Sequence, residues 1–113
     1  MIKKTFGLSL TNSFQTAYEV PTGKKAEWVL LYVVNSTGST SNFSVRTYNA
    51  ATSTYSTYFD NKSLQNGEFF QIGGGVNEFI MLAEGDRIEA SDGVAGMTLA
   101  VSVIEHNDII QGG

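Results

Sequence analysis

Cysteine is absent from the 113-residue sequence. That excludes a disulfide framework, a thiolate metal site and a cysteine nucleophile, so stability must come from packing and hydrogen bonding. Histidine occurs once, as His106. A transition-metal site would therefore rest almost wholly on carboxylates, and a Ser-His-Asp relay would depend on that one ring. Charge is scarce too: 7 Lys and Arg against 11 Asp and Glu leave a net charge of −4. An acidic chain of this kind lacks the basic footprint that binding to nucleic acid phosphates needs, which argues against a nucleic acid partner. No apolar run approaches the roughly 20 residues of a membrane span, and residues 1–10 carry two lysines without the apolar core of a signal peptide. The expectation is a soluble protein made in a cytoplasm, with no membrane partner.

What is present suits strands and turns. The length fits one domain covering residues 1–113, and Ser, Thr, Asn and the 12 glycines outweigh a single proline. Apolar residues do not recur at helical spacing over any window of helical length, whereas short β-branched and aromatic runs alternate with turn signals. About eight or nine strands follow from that pattern: residues 3–10, 14–20, 26–35, 43–49, 54–59, 68–72, 76–82, 87–91 and 97–105. Thr11-Asn12-Ser13, Pro21-Thr22-Gly23-Lys24, Asn66-Gly67, Gly73-Gly74-Gly75 and Glu84-Gly85-Asp86 punctuate them, with residues 36–40 as a loop and 60–67 as a longer connection. The last strand turns Met97, Leu99, Val101 and Val103 to one face, the period of a half-buried antiparallel strand. Turns at this spacing without intervening helices predict an all-β, antiparallel β-sandwich, jelly-roll-like in organisation.

The chain offers little chemistry. His106 stands beside Glu105 and Asp108 just past the last strand, where it reads as a solvated histidine rather than a base or ligand. Glu84, Asp86, Glu89 and Asp92 would be calcium donors by type, but they flank glycines as ordinary turn residues do and lack the spacing of a calcium loop. The glycine triplet 73–75 has neither the lysine nor the following helix of a phosphate cradle. No catalytic residue, metal ligand or cofactor is assigned.

Aromatic and apolar surface carries more. Tyr48, Tyr55, Tyr58 and Phe59 fall in two adjacent strands. Simple alternation sets Tyr55 and Phe59 on one face and Tyr58 on the other, and such a cluster could form a sugar-stacking platform or be divided with the core. Trp28-Val29-Leu30-Leu31-Tyr32-Val33-Val34 is apolar at every position, as is Phe79-Ile80-Met81-Leu82. In a two-layer sandwich each strand has one face to the core, so the second face of these strands needs cover, either from another segment of the chain or from a neighbouring subunit. Ile109 and Ile110 add apolar residues beyond the last strand. The strand 26–35 is expected at the centre of its sheet with Trp28 buried. Candidate interface residues are Trp28, Leu30, Tyr32, Tyr55, Tyr58, Phe59, Ile109 and Ile110.

Two stretches carry a resemblance: Tyr18-Glu19-Val20-Pro21-Thr22-Gly23-Lys24, leading into an apolar strand that ends Val33-Val34-Asn35-Ser36-Thr37-Gly38, and Leu82-Ala83-Glu84-Gly85-Asp86-Arg87-Ile88-Glu89-Ala90 before a final strand. Together they look like the small β-sandwich structural proteins of tailed-phage virions, which include capsid decoration and tail-associated proteins. The resemblance implies a non-enzymatic virion protein that forms a homo-oligomer and attaches to the major capsid protein, reinforcing the shell. A tail, neck or fibre component contacting a tail protein is the alternative within the family. A carbohydrate-binding module using the tyrosine strands, with a glycan partner, and a hydrolase without an identified site, to be tested by changing His106, are readings from other classes.

Overall fold

The computed structural model describes residues 2–73 and 80–107. Those residues form nine strands and no helix: β1 Ile2–Ser9, β2 Gln15–Glu19, β3 Lys24–Val34, β4 Ser41–Asn49, β5 Thr54–Leu64, β6 Phe69–Gly73, β7 Ile80–Leu82, β8 Arg87–Asp92 and β9 Thr98–Asn107. They make two antiparallel sheets, one ordered β1-β9-β3-β6 with β7 also on β3, the other ordered β2-β8-β4-β5. The pairings 1·9, 2·8, 3·6 and 4·5 are nested, as if one long hairpin had been rolled until β9 met β3 and β8 met β4. That is the strand order of a jelly-roll sandwich.

β3 is central, between β9 on one side and β6 and β7 on the other. Its apolar run does not simply alternate. The register with β9 shifts between Trp28 and Leu30, so Ala26 and Trp28 point into the sandwich before the shift and Leu31 and Val33 after it. Val29, the inserted residue, is buried as well. A bulge thus takes up part of the apolar excess that strict alternation would have placed outside. Opposite Trp28 and Val33, β9 contributes Leu99, Val101 and Val103 to the core, while β4 and β8 contribute Phe43, Val45, Ile88 and Ala90 from the second sheet. Trp28 is 1% exposed and its indole N–H donates to the carbonyl of Leu30 at 2.8 Å, so the largest core side chain carries its polar atom in with a partner.

β5 runs five residues beyond the expected strand 54–59 because irregularities carry it through the predicted connection. Its register against β4 shifts on both sides of Val45, and Asn61 sits at φ 55 with its backbone N–H on Ser44 Oγ at 2.9 Å. Asparagine tolerates that left-handed conformation better than most residues. β6 ends on Gly73 at φ 84, where a Cβ would stand 2.1 Å from the Val29 carbonyl oxygen. Only glycine allows the edge strand to close so tightly on the β3 bulge. The expected turn at 73–75 and the strand start at 76–79 lie, apart from Gly73, outside the described residues.

The loops are held by side chains from the strand ends. Asn35, fully buried, donates through Nδ2 to the carbonyls of Ser39 and Leu64 at 2.9 and 2.8 Å and accepts through Oδ1 from the Thr37 N–H and hydroxyl. It fastens the 36–40 loop to the end of β5.

Candidate functional site

The acidic residues weighed for calcium are all engaged. Asp86 accepts from the backbone N–H of Ala50 and of Ala83, both at 2.9 Å, and Asp92 from those of Ala95 and Met97 at 2.7 and 2.9 Å. Glu84 accepts from Gly23 N–H at 2.8 Å, tying the β7–β8 turn to the β2–β3 turn. Among the described residues no three His, Cys, Asp or Glu side chains come together to hold a metal ion.

His106 and Glu105 are neighbours in sequence only. Consecutive strand residues point to opposite faces. Glu105 therefore faces inward, 3% exposed, while His106 lies on the outer face and pairs through Nε2 with Glu27 Oε2. Asp108, the other expected neighbour, lies outside the described residues.

Glu105 belongs instead to a cleft of about 390 Å3 where the sandwich opens between β1 and β2. Its Oε2 accepts from the Tyr18 hydroxyl at 2.6 Å and its Oε1 meets Lys4 Nζ at 3.0 Å, with the Phe6 and Tyr18 rings 5.1 Å apart alongside. Burial works to raise the Glu105 carboxyl, but the bonds from Tyr18 and Lys4 and the charges of Lys4 and Lys24 outweigh it and hold the group below its ordinary range. Burial first, then the bond to Glu105 and its charge, push the Tyr18 phenol up. An acid held ionised beside a phenol held neutral offers no proton-transfer group poised near neutrality. The arrangement clamps the two sheets together.

The outer face of the β1-β9-β3-β6 sheet carries an apolar surface. Leu30, Tyr32 and Val34 of β3 lie on it half-buried, flanked by Ala100 and Ile104 of β9 and by Phe69 of β6 and Met81 of β7. Tyr32 and Phe69 stack at 5.6 Å, and Phe69 remains 61% exposed. The Glu27–His106 pair closes one end of the patch. Of the expected interface residues, Leu30 and Tyr32 stand here. Trp28 does not, because it is enclosed within the chain and has no surface to offer a partner. Ile109 and Ile110 lie outside the described residues.

The tyrosine strands divide differently from simple alternation. Val45 pairs with Phe59 and Arg46 with Thr57, leaving Tyr58 as an extra residue in β5. The bulge turns Tyr58 and Phe59 to the same side, correcting the expected separation: Tyr58 meets the Trp28 ring edge-on at 6.3 Å and the Thr47 hydroxyl at 3.1 Å, while Phe59 packs on Phe43 and Phe70 at 6.0 and 5.0 Å. Of the β5 rings Tyr55 alone goes to the outer face, where it stands 5.0 Å from Tyr48. No four-ring platform exists. The outer face instead has an arrangement the sequence reading passed over: Arg46 and Arg87 each donate through Nε to Glu89, at 2.8 and 3.0 Å, beneath Phe14, Tyr48 and Tyr55. Its only trace in the sequence is the two-residue spacing of Arg46 with Tyr48 and of Arg87 with Glu89.

No protein-family model, no curated protein and no solved structure matches the chain.

Proposed function

We propose that the chain is a non-enzymatic structural protein of a tailed-phage virion, a capsid decoration protein that associates with copies of itself and with the major capsid protein. The observation that carries this reading is the apolar outer face centred on Leu30, Tyr32, Val34 and Phe69. A stacked aromatic pair joining the central strand β3 to β6, with an ionic pair at the patch's margin, has the makeup of an interface core and rim. The jelly roll adds associational support, because the fold recurs in viral shell proteins, although it is shared with lectins and enzymes. The engagement of Glu84, Asp86, Glu89, Asp92 and Glu105 in turns, arginine pairs or the Tyr18–Glu105 clamp favours a binding role over a catalytic one.

The test is sedimentation of the purified chain beside a Phe69→Glu variant, followed by co-sedimentation with tailed-phage capsids. Phe69 is exposed, so the charge should leave the fold intact while opposing burial of the patch. The parent is expected to form an oligomer and to co-sediment with capsids, and the variant to lose both. A monomeric parent that ignores capsids would remove the reading; attachment to tails alone would replace decoration with a tail role.

A further inference from the structure

On the outer face of the β2-β8-β4-β5 sheet, remote from the apolar patch, the Arg46 guanidinium is held on three sides. Its Nε donates to Glu89 Oε1 at 2.8 Å, and its Cζ lies 3.7 Å from the centre of the Phe14 ring and 4.0 Å from that of Tyr55. The two rings flank the guanidinium across the sheet, Phe14 from the β2 side and Tyr55 from the β5 side. Among the described residues the Nη atoms of Arg46 make no hydrogen bond. With Nε engaged by Glu89 and the side chain still 25% exposed, the Nη donors are left to offer a planar fork to a carboxylate.

The support beneath is built as well. Glu89 is 6% exposed and its second oxygen is taken by Arg87 Nε at 3.0 Å, with the Arg87 guanidinium 4.1 Å over the Tyr48 ring. A buried carboxylate bonded to two arginines fixes both forks without using their outer donors. Across the strands the register places Thr16 beside Glu89 and Thr57 beside Arg46. Both threonines are exposed, and among the described residues their hydroxyls have no hydrogen-bond partner. Phe14 and Tyr55 keep 39% and 50% of their surface exposed, leaving apolar rims on either side of the free edge.

We propose that this cluster binds an acidic saccharide. The sugar carboxylate takes the Nη edge of Arg46, the C–H surface of the ring lies against the rims of Phe14 and Tyr55, and sugar hydroxyls meet Thr16 and Thr57. The free fork selects a planar oxyanion, and the flanking aromatic rims and hydroxyls select a sugar over a bare carboxylate.

The test is calorimetric titration of the full chain with trigalacturonate, its fully methyl-esterified counterpart and acetate. The acid trimer is expected to bind at least about tenfold more tightly than the ester, matching the loss of one bidentate charged contact. Acetate is expected to bind more weakly still. Arg46→Lys, which keeps the charge but not the fork, should reduce the preference for acid over ester, and Tyr55→Ala should weaken the trimer while leaving acetate unchanged. Melting curves on both variants confirm folding. Equal binding of acid and ester by the parent, or an undiminished preference in a folded Arg46→Lys chain, would overturn the proposal. Acetate binding as tightly as the trimer would reduce the site to a simple anion site and overturn the saccharide assignment.

Discussion

The Tyr18 hydroxyl on β2 donates to Glu105 Oε2 on β9 at 2.6 Å, joining the two sheets through a buried, charged hydrogen bond. Replacing Tyr18 with Phe keeps the ring against Phe6 and removes only that donor. The variant is expected to lose about 1.5 to 3 kcal/mol, the range for hydrogen bonds to charged groups, as read by denaturant unfolding. Lys4 remains as the second partner of Glu105, so the cost should stay short of unfolding. Unchanged stability would show that the clamp contributes nothing.

The same pair sets the pH dependence. Glu105 is held below its ordinary value of 4.5 in the folded protein, so between the two values the unfolded chain binds more protons. Stability from this group is therefore fully present above about pH 4.5 and lost as pH falls through the folded value. Tyr18 acts with the opposite sign: its folded value is raised above 10.0, so its contribution is present below that pH and lost as the medium becomes more alkaline. Urea midpoints measured across pH should fall at both ends, and Glu105→Gln should flatten the acid limb. An acid limb identical in the Gln variant would assign it to other carboxylates.

Trp28 tests the core. With 1% of its surface exposed, truncation to Ala should cost about 3 to 5 kcal/mol in thermal or chemical unfolding. Trp28→Phe should cost less, because it leaves a smaller space and loses chiefly the bond to the Leu30 carbonyl. Near-parent stability in the Ala variant would be incompatible with the packing described.

Two glycines separate backbone strain from collision. Gly23 and Gly73 have similar positive φ, 79 and 84, but a Cβ at Gly23 meets nothing within 4 Å, whereas at Gly73 it meets the Val29 carbonyl. Gly23→Ala should cost about 1 kcal/mol, the strain of a side chain at positive φ. Gly73→Ala should cost clearly more, since backbone must move away. Equal melting temperatures for the two variants would show that β6 does not approach the β3 bulge so closely.

The strands were legible where a single rule governs them. The alternation of Met97, Leu99, Val101 and Val103 and the turn residues between segments report local backbone preference and one buried face, which neighbouring residues encode directly. Central placement of β3 and burial of Trp28 followed from the same logic, because a strand apolar at every position cannot lie at a wetted edge. Where a bulge intervenes the logic fails. Alternation placed Tyr58 opposite Phe59, yet an extra residue in β5 brings both to one side, and the bulge at Val29 buries a residue that alternation would expose.

By itself, then, the amino-acid order determined the class of fold, the absence of thiol chemistry, the turns at Gly23, Asn66-Gly67 and Glu84-Gly85 and the central strand, since these depend on composition and near-neighbour periodicity. Only the tertiary structure decided which strands pair, because nested pairing joins residues as distant as Ile2 and Glu105. It also decided the partners of the charged groups: Glu105 with Tyr18 and Lys4, His106 with Glu27, and Arg46 and Arg87 on Glu89. Those groups come from different strands, and the direction of each side chain depends on register and bulges set by the packing of both sheets together.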